Sequence, residues 1–337
     1  MAPWPLDSVI TFCSRFFNQS FFIAEPTLTE KNLPDQFGRV FIITGGYTGV
    51  GYQLCKILYQ RNGTVYIAGR SESKGRNAID SIKKDLPDSK GRIEFLLLDL
   101  ADHATIKESA ENFLRREERL DVLTNNAGVM FPPLGTKDAQ GNEIQMGTNC
   151  LGHFIFTHNL LPILLKTAAK SRPGSVRVTW AASIGVDVYA PYVGINLVNG
   201  EWKPYRWDNK KNYAVSKAGN IFYATEVARR FGKQGLVSVA FNPGNLRTEL
   251  QRYSGWSESL TLDWLLYPAV LGAYTELYAG WSEDITSSNN GAYVVPWGRL
   301  YDPKFGVIKS TRTKEQGGTG IAKQFWDWSE NFTKHFL

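Results

Sequence analysis

Residues 39–61 read RVFIITGGYTGVGYQLCKILYQR, and three textures follow one another without a gap. Arg39 to Thr44 is an apolar, β-branched run, the composition of a buried strand. Glycines at 45, 49 and 51 come next. Beyond them Val50, Leu54, Ile57 and Leu58 recur at helical spacing. A strand thus passes through a glycine turn into a helix. Glycines there let the backbone turn sharply and approach a phosphate at the helix N-terminus. The spacing is G-x-x-x-G-x-G and not the commoner G-x-G-x-x-G. Taken alone, it fits a tight structural turn as well as a phosphate cradle.

Working outward, the same alternation repeats. TVYIAG (64–69), IEFLLLDL (93–100), LDVLTNNAG (120–128), SVRVTW (175–180) and LVSVAFNPG (236–244) read as strands, with helix-length segments between them. Short apolar strands alternating with helices imply a parallel sheet covered on both faces. The expected fold class is α/β, a doubly wound parallel sheet of Rossmann type. Right-handed crossovers place the loops after the strands along one edge, where ligands bind. No linker-like tract or repeat divides the chain, so one domain is expected over 37–300, between extensions at 1–36 and 301–337.

The second strand ends in YIAGRS (66–71). An NAD site tends to carry Asp or Glu there, to hold the ribose hydroxyls. Here Arg70 follows the strand instead, and a guanidinium suits a 2′-phosphate. NADP(H) is therefore expected over NAD(H).

The chain has 337 residues and a net charge of +6, with its Lys and Arg scattered rather than clustered. That balance suits an anionic small ligand and falls short of a nucleic-acid footprint. Cys13, Cys55 and Cys150 have no metal-ligand spacing and are expected to be buried free thiols in a reducing compartment. No metal site is expected. The first residues, MAPWPLDSVITFCSRFFNQSFF, contain no run of the roughly 20 apolar residues a membrane span needs. Nor do they open on the basic region of a secretory signal. Their apolar positions recur at helical spacing, and two placements stay open: a helix folded onto the protein itself, or peripheral contact with a membrane. The expected location is the cytoplasm.

A final pair, Tyr213 and Lys217, lies in NYAVSKAGNI (212–221), four residues apart and so on one helical face. Six stretches now stand in order: TGGYTGVG (44–51), LDL (98–100), NNAG (125–128), NCLGHF (149–154), YAVSK (213–217) and PGNLRT (243–248). Together, from about residue 36 to about 300, the chain resembles the short-chain dehydrogenase/reductase superfamily. Its retinol dehydrogenase-like, NADP-dependent carbonyl reductase branch looks closest.

The resemblance implies a set of roles. Gly45, Tyr47, Thr48, Gly49, Val50 and Gly51 hold the pyrophosphate turn. Asp99 bonds the adenine amino group with Leu100 beside the ring. Asn126, Ala127 and Gly128 flank the cofactor, Asn126 by tying backbone elements together. Tyr213 is the catalytic acid. A free phenol, with a pKa near 10, exchanges protons poorly at neutrality, and Lys217 is expected to lower that value while holding the nicotinamide ribose. Asn149 supports a water path past the lysine. Pro243, Gly244, Leu246 and Thr248 close over the nicotinamide. His153 and Cys150 are expected to pack and not to react. The family generally has adjacent serines after the fifth strand, whereas this chain has Ala182-Ser183. Ser183 keeps the position that holds the substrate carbonyl, an oxyanion-type contact.

Two segments, 186–212 and 249–290, are expected to overhang the nicotinamide. They contain Tyr189, Tyr192, Trp202, Tyr205, Trp207, Tyr253, Trp256, Trp264 and Tyr267, which imply a bulky, mainly apolar carbonyl or alcohol as substrate. Asn199-Gly200 reads as a hairpin turn. GAYVVPWGR (291–299) reads as the final strand and GIAKQFWDWSENFTKHF (320–336) as a terminal amphipathic helix. The expected function is NADPH-dependent carbonyl reduction. Reduction of an activated C=C bond and non-catalytic NADPH binding stand as alternatives. Family members often pair through the helix bearing Tyr213, so a homodimer is expected unless the added segments cover that surface.

Overall fold

The computed structural model describes residues 6–248 and 266–337. A helix α1 (Leu6–Ser20) precedes the first strand, β1 (Val40–Thr44), whose five residues are all buried. The chain then alternates: α2 (Gly49–Gln60), β2 (Thr64–Gly69), α3 (Glu72–Asp85), β3 (Arg92–Leu97), α4 (His103–Leu114) and β4 (Val122–Asn125). A short helix α5 (Ile144–Met146) and one π turn (Gly147–Leu151) lead into α6 (Gly152–Ala168) and β5 (Arg177–Ala181). After α7 (Gly185–Val188), a hairpin β6 (Leu197–Val198) and β7 (Glu201–Trp202) precedes the long α8 (Asn209–Phe231) and β8 (Val237–Phe241). Then come α9 (Ala269–Trp281), β9 (Tyr293–Val295), β10 (Arg299–Tyr301), α10 (Phe305–Thr311) and α11 (Ile321–Thr333).

Eight strands form one sheet in the order β10-β9-β8-β5-β4-β1-β2-β3, parallel throughout except for the β9–β10 pair. The α/β expectation holds, and the order reverses between β1 and β4, as a doubly wound sheet requires. One face carries α4, α6 and α8 over a core that includes Trp180, Phe154 and Tyr223. The other carries α2, α3 and α9 over Phe41, Ile43, Leu54 and Ile67.

Two boundaries and one burial differ from the sequence reading. The stretch 291–299 holds one strand and the start of a second, because Pro296, which has no N–H to give a ladder, falls in the turn between β9 and β10. β3 ends at Leu97, which leaves Asp99 and Leu100 in the loop beyond it. Cys13 is exposed, whereas Cys55 and Cys150 are buried as expected. The turn at Asn199-Gly200 is as read: both residues have positive φ, 53° and 80°, and join β6 to β7.

Candidate active site

A cleft of about 1060 Å³ runs along the carboxyl ends of the parallel strands. Its floor begins in the turn after β1, where Gly45 (φ 68°) and Gly49 (φ 56°) adopt the left-handed backbone that suits glycine. A Cβ on Gly45 would lie 3.1 Å from the Cα of Ala127. Helix α2 starts with no side-chain cap and no acidic residue in its first turn, so its first N–H groups face the cleft end of the turn. Thr44 ties this floor to the next strand. Its Oγ accepts the N–H groups of Asn126 and Ala127, both at 2.9 Å, and lies 2.9 Å from His153 Nε2. His153 Nδ1 faces the Asn149 carbonyl at 3.0 Å, so it carries the proton and Nε2 accepts from the threonine. Burial pushes this imidazole down to about 3, which keeps it neutral. The packing role expected of His153 thus has a definite form, whereas the sequence reading gave Thr44 no role.

At the far end, Arg70 is exposed at the rim, with Asp99 and Leu100 across the cleft. Lys74, also exposed and also lining this end, was missed; it lies in the first turn of α3, directly after the Arg70 loop, a position that could have revealed it. Asn126 Nδ2 donates to the Thr44 carbonyl at 2.8 Å, the tie between backbone elements that was expected.

Tyr213 and Lys217 occupy the first turns of α8, which Asp208 caps by accepting the Lys211 N–H at 2.9 Å. Both line the cleft, as does Ser183. The Ser183 Oγ accepts the Gly185 N–H at 3.0 Å, and Gly185 brings serine and tyrosine together: a Cβ there would stand 3.3 Å from both the Ser183 Oγ and the Tyr213 ring. Lys217 Nζ lies 5.8 Å from the Tyr213 ring centroid and donates to the Ala181 carbonyl at 2.9 Å. Burial pushes this lysine down to about 8. Burial also raises the Tyr213 phenol, against the smaller opposing influence of Ser183. Loss of water is the largest influence on both groups.

Not every expected residue faces the cleft. Gly51 and Asn149 are buried behind its wall. A Cβ on Gly51 would meet Asn126 Nδ2 at 2.6 Å and the Gly45 carbonyl at 2.9 Å, so this glycine serves close packing. Asn149 Oδ1 accepts the Val129 N–H at 2.7 Å, while its Nδ2 donates to the Val129 carbonyl at 2.9 Å and to Ser216 Oγ at 3.1 Å. Gly128 separates it from Lys217: a Cβ there would stand 3.1 Å from Asn149 Oδ1 and 3.5 Å from the ammonium nitrogen. Gly45, Tyr47, Thr48, Gly49, Val50, Ala127, Gly128, Pro243, Gly244, Leu246 and Thr248 all line the cleft. Among the described residues, no cluster of His, Cys, Asp or Glu could hold a metal.

A model of the short chain dehydrogenase family matches residues 39–190. A short-chain dehydrogenase/reductase of Phomopsis amygdali is 44% identical over 317 residues, 93% of this chain and 94% of that protein. The chain belongs to the short-chain dehydrogenases/reductases. Among solved structures, an uncharacterized protein of Mycobacterium paratuberculosis superposes with a TM-score of 0.64 at 28% identity, covering 91% of this chain and 97% of the other. The RhlG–NADP complex of Pseudomonas aeruginosa gives 0.56 at 20% identity over 77% and 95%. The family consists of oxidoreductases that use a nicotinamide cofactor. The cleft of this short-chain dehydrogenase/reductase fits one, with glycines and free helix N–H groups for the pyrophosphate and cations beyond β2.

The substrate side of this dehydrogenase/reductase differs from the expectation. Among the described residues of the aromatic set named above, only Tyr189 lines the cleft. Trp202 is buried, 6.5 Å from the Trp328 ring of α11, so the β6–β7 hairpin packs on the terminal helix and not over the site. Tyr192 and Trp207 are exposed, Tyr205 is half-buried, and Tyr267 packs edge-on against Trp297 at 5.0 Å. Tyr253, Trp256 and Trp264 lie outside the described residues. The apolar wall comes instead from residues the sequence reading passed over. Phe131 (φ 51°) sets its ring 5.2 Å from Tyr213, and Phe16 reaches the cleft from α1. Lys210 stands about 6 Å from the Phe131 and Tyr189 rings.

Proposed function

We propose that this short-chain dehydrogenase/reductase uses NADPH to reduce, reversibly, the carbonyl of a bulky, mainly apolar metabolite. The observation that carries the reading is Tyr213 and Ser183 side by side in the cleft wall, with Lys217 one helical turn from the tyrosine and an apolar wall beside them. Arg70 and Lys74 hold the 2′-phosphate, the charge pattern that favours NADP(H) over NAD(H). Asp99, Leu100, Asn126, Ala127 and the 45–51 turn hold the rest of the dinucleotide, and the Pro243–Thr248 loop covers its nicotinamide end. Seated there, the cofactor supplies a hydride from C4 of its nicotinamide. Ser183 Oγ donates to the substrate oxygen, so its hydrogen bond strengthens as negative charge develops. Tyr213 delivers the proton. Lys217, as the ammonium, favours the phenolate left behind, and Asn149 keeps the Val129 loop and Ser216 in place behind it.

Titration of NADPH and NADH into the protein, followed by cofactor fluorescence, tests the cofactor. NADPH binds at least tenfold tighter than NADH, and Arg70→Ala removes that preference; equal binding by the wild type sinks the NADP assignment. Ketones and enones are then offered with NADPH. Tyr213→Phe lowers kcat by about 10²–10⁴ while leaving the NADPH Kd within a few-fold. Products saturated at C=C with the carbonyl intact overturn carbonyl reduction.

A further inference from the structure

Helix α1 stands before the sheet in sequence, yet its last two turns sit on the rim of the cleft. Gln19 is 1% exposed. Its Nε2 donates to Asp187 Oδ2 at 3.0 Å, and its Oε1 accepts from Asn242 Nδ2 at 3.0 Å. Asp187 lies one helical turn after Ser183, and Asn242 immediately precedes Pro243–Gly244. One carboxamide therefore joins the loop that carries Ser183 to the loop over the nicotinamide end. The bridge needs a donor on one side and an acceptor on the other, which an amide supplies and a carboxylate or an alkyl group does not.

Further contacts fix the same turn. Asn245 Nδ2 donates to Ser20 Oγ at 3.0 Å, and the Tyr267 hydroxyl donates to the Ser20 carbonyl at 3.1 Å. Arg299 donates to the Asn18 carbonyl at 2.8 Å. Arg15 pairs with Asp187 at 3.4 Å, donates to the Asp302 carbonyl at 2.5 Å and lies over the Tyr301 ring. Held in this way, the helix presents Phe16 to a cleft whose lining also includes Val188, Tyr189, Leu246 and Leu266.

We infer that α1 forms the outer wall of the substrate site, with Phe16 a specificity-determining residue for bulky apolar carbonyls and Gln19 the positioning residue that seats it. The inference rests on the carbonyl-reductase reading above and adds to it a substrate preference set from outside the sheet. An aromatic ring at the mouth adds contact area that only a substrate long enough to reach it can use.

The full chain carrying Phe16→Ala is assayed with NADPH on cyclohexanone, 1-tetralone and 9-fluorenone. The ratio of kcat/KM for fluorenone over cyclohexanone falls about tenfold, through KM. Phe16→Leu, which retains apolar volume, recovers part of that ratio. A ratio unchanged in Phe16→Ala overturns the assignment. A second measurement needs no turnover: acrylamide quenching of the fluorescence of bound NADPH. Gln19→Glu places a carboxylate against Asp187 and loosens the wall. Its quenching constant rises at least twofold while the NADPH Kd stays within twofold. An unchanged constant removes the wall. If the wild type binds NADPH and reduces none of the ketones, the carbonyl reading fails alone and the quenching still decides the wall.

Discussion

The two ends of the chain are both helices added to the same sheet, and they are attached by different physics. α1 is held by directed polar contacts, and two of its neighbouring rings, Phe17 and Phe22, remain exposed. α11 is held by ring packing. Phe325 and Trp326 are buried, Phe325 stacks on Tyr223 at 5.3 Å, and Trp326 meets Phe154 edge-on at 4.9 Å. Polar contacts add to the ring packing, Ser329 Oγ with the Tyr223 hydroxyl at 2.6 Å inside and Arg230 donating to Asp327 at 3.0 Å on the surface. Gly219 makes the approach feasible, since a Cβ there would stand 3.0 Å from the Phe325 ring. Burying a large apolar side chain contributes about 1.5–3 kcal/mol, whereas a polar contact nets about 1 kcal/mol and depends strictly on geometry. The C-terminal helix is therefore part of the scaffold, and the N-terminal helix is part of the site's shape. α11 also lies on α8, so pairing of two copies through that face requires displacing it.

The sharpest way to break this contrast is Phe325→Ala. It lowers unfolding free energy by about 3–5 kcal/mol without moving the NADPH Kd; a loss below about 1 kcal/mol in urea melts sinks the scaffold assignment. Acid probes the same side of the sheet. His153 lies beside Phe154 in α6, with its folded value depressed to about 3 from an ordinary value near 6.5. A depressed imidazole means that the unfolded chain binds more protons. Its contribution is complete above pH 6.5 and is lost as pH falls toward 3, on the order of a few kcal/mol. The urea midpoint falls between pH 7 and pH 4.5, and His153→Asn flattens that slope.

The opposite face gives the opposite sign. Glu276 of α9 is fully buried, neither carboxyl oxygen has a hydrogen-bond partner among the described residues, and burial raises its value well above the ordinary range. The folded state then binds the extra proton, so stability falls as pH rises above about 4. Glu276→Gln raises Tm at pH 8 more than at pH 5, by the equivalent of roughly 1–2 kcal/mol; equal shifts at both pH values contradict a neutral carboxyl. Smallest in stability is Gln19→Ala, at about 1 kcal/mol or less in urea. A loss as large as that of Phe325→Ala erases the distinction between the two ends.

What the sequence made legible follows from how local each signal is. The strand–glycine–helix passage at 39–61, the Tyr213–Lys217 spacing and the Asn199-Gly200 turn are fixed by short-range backbone rules, and each stands where it was read. Lys74 was within reach by the same logic, in the first turn of the helix that follows Arg70. Phe16, Phe131 and Thr44 were not. Their roles arise from contacts across 80 or more residues for Thr44, and from the docking of an extension whose partner no periodicity encodes. The aromatic density of 186–212 was visible, but its destination was not. A tryptophan that walls a pocket and one that packs on a distant helix have the same letter and the same neighbours. The Tyr213 phenol shows the limit for electrostatics, because a sequence displays the nearby charge and hides the burial that raises the phenol.

The Arg15–Asp302 contact has a consequence in time. It joins residues 287 apart, and at about 5–20 residues per second the two are synthesised roughly 15 to 60 s apart. This helix, made before the sheet, thus cannot complete its docking until the last strand of the sheet has emerged, and meanwhile Phe16, Phe17 and Phe21 have only the nascent chain and its chaperones as company. The cleft is built first and closed last, by a segment made before it.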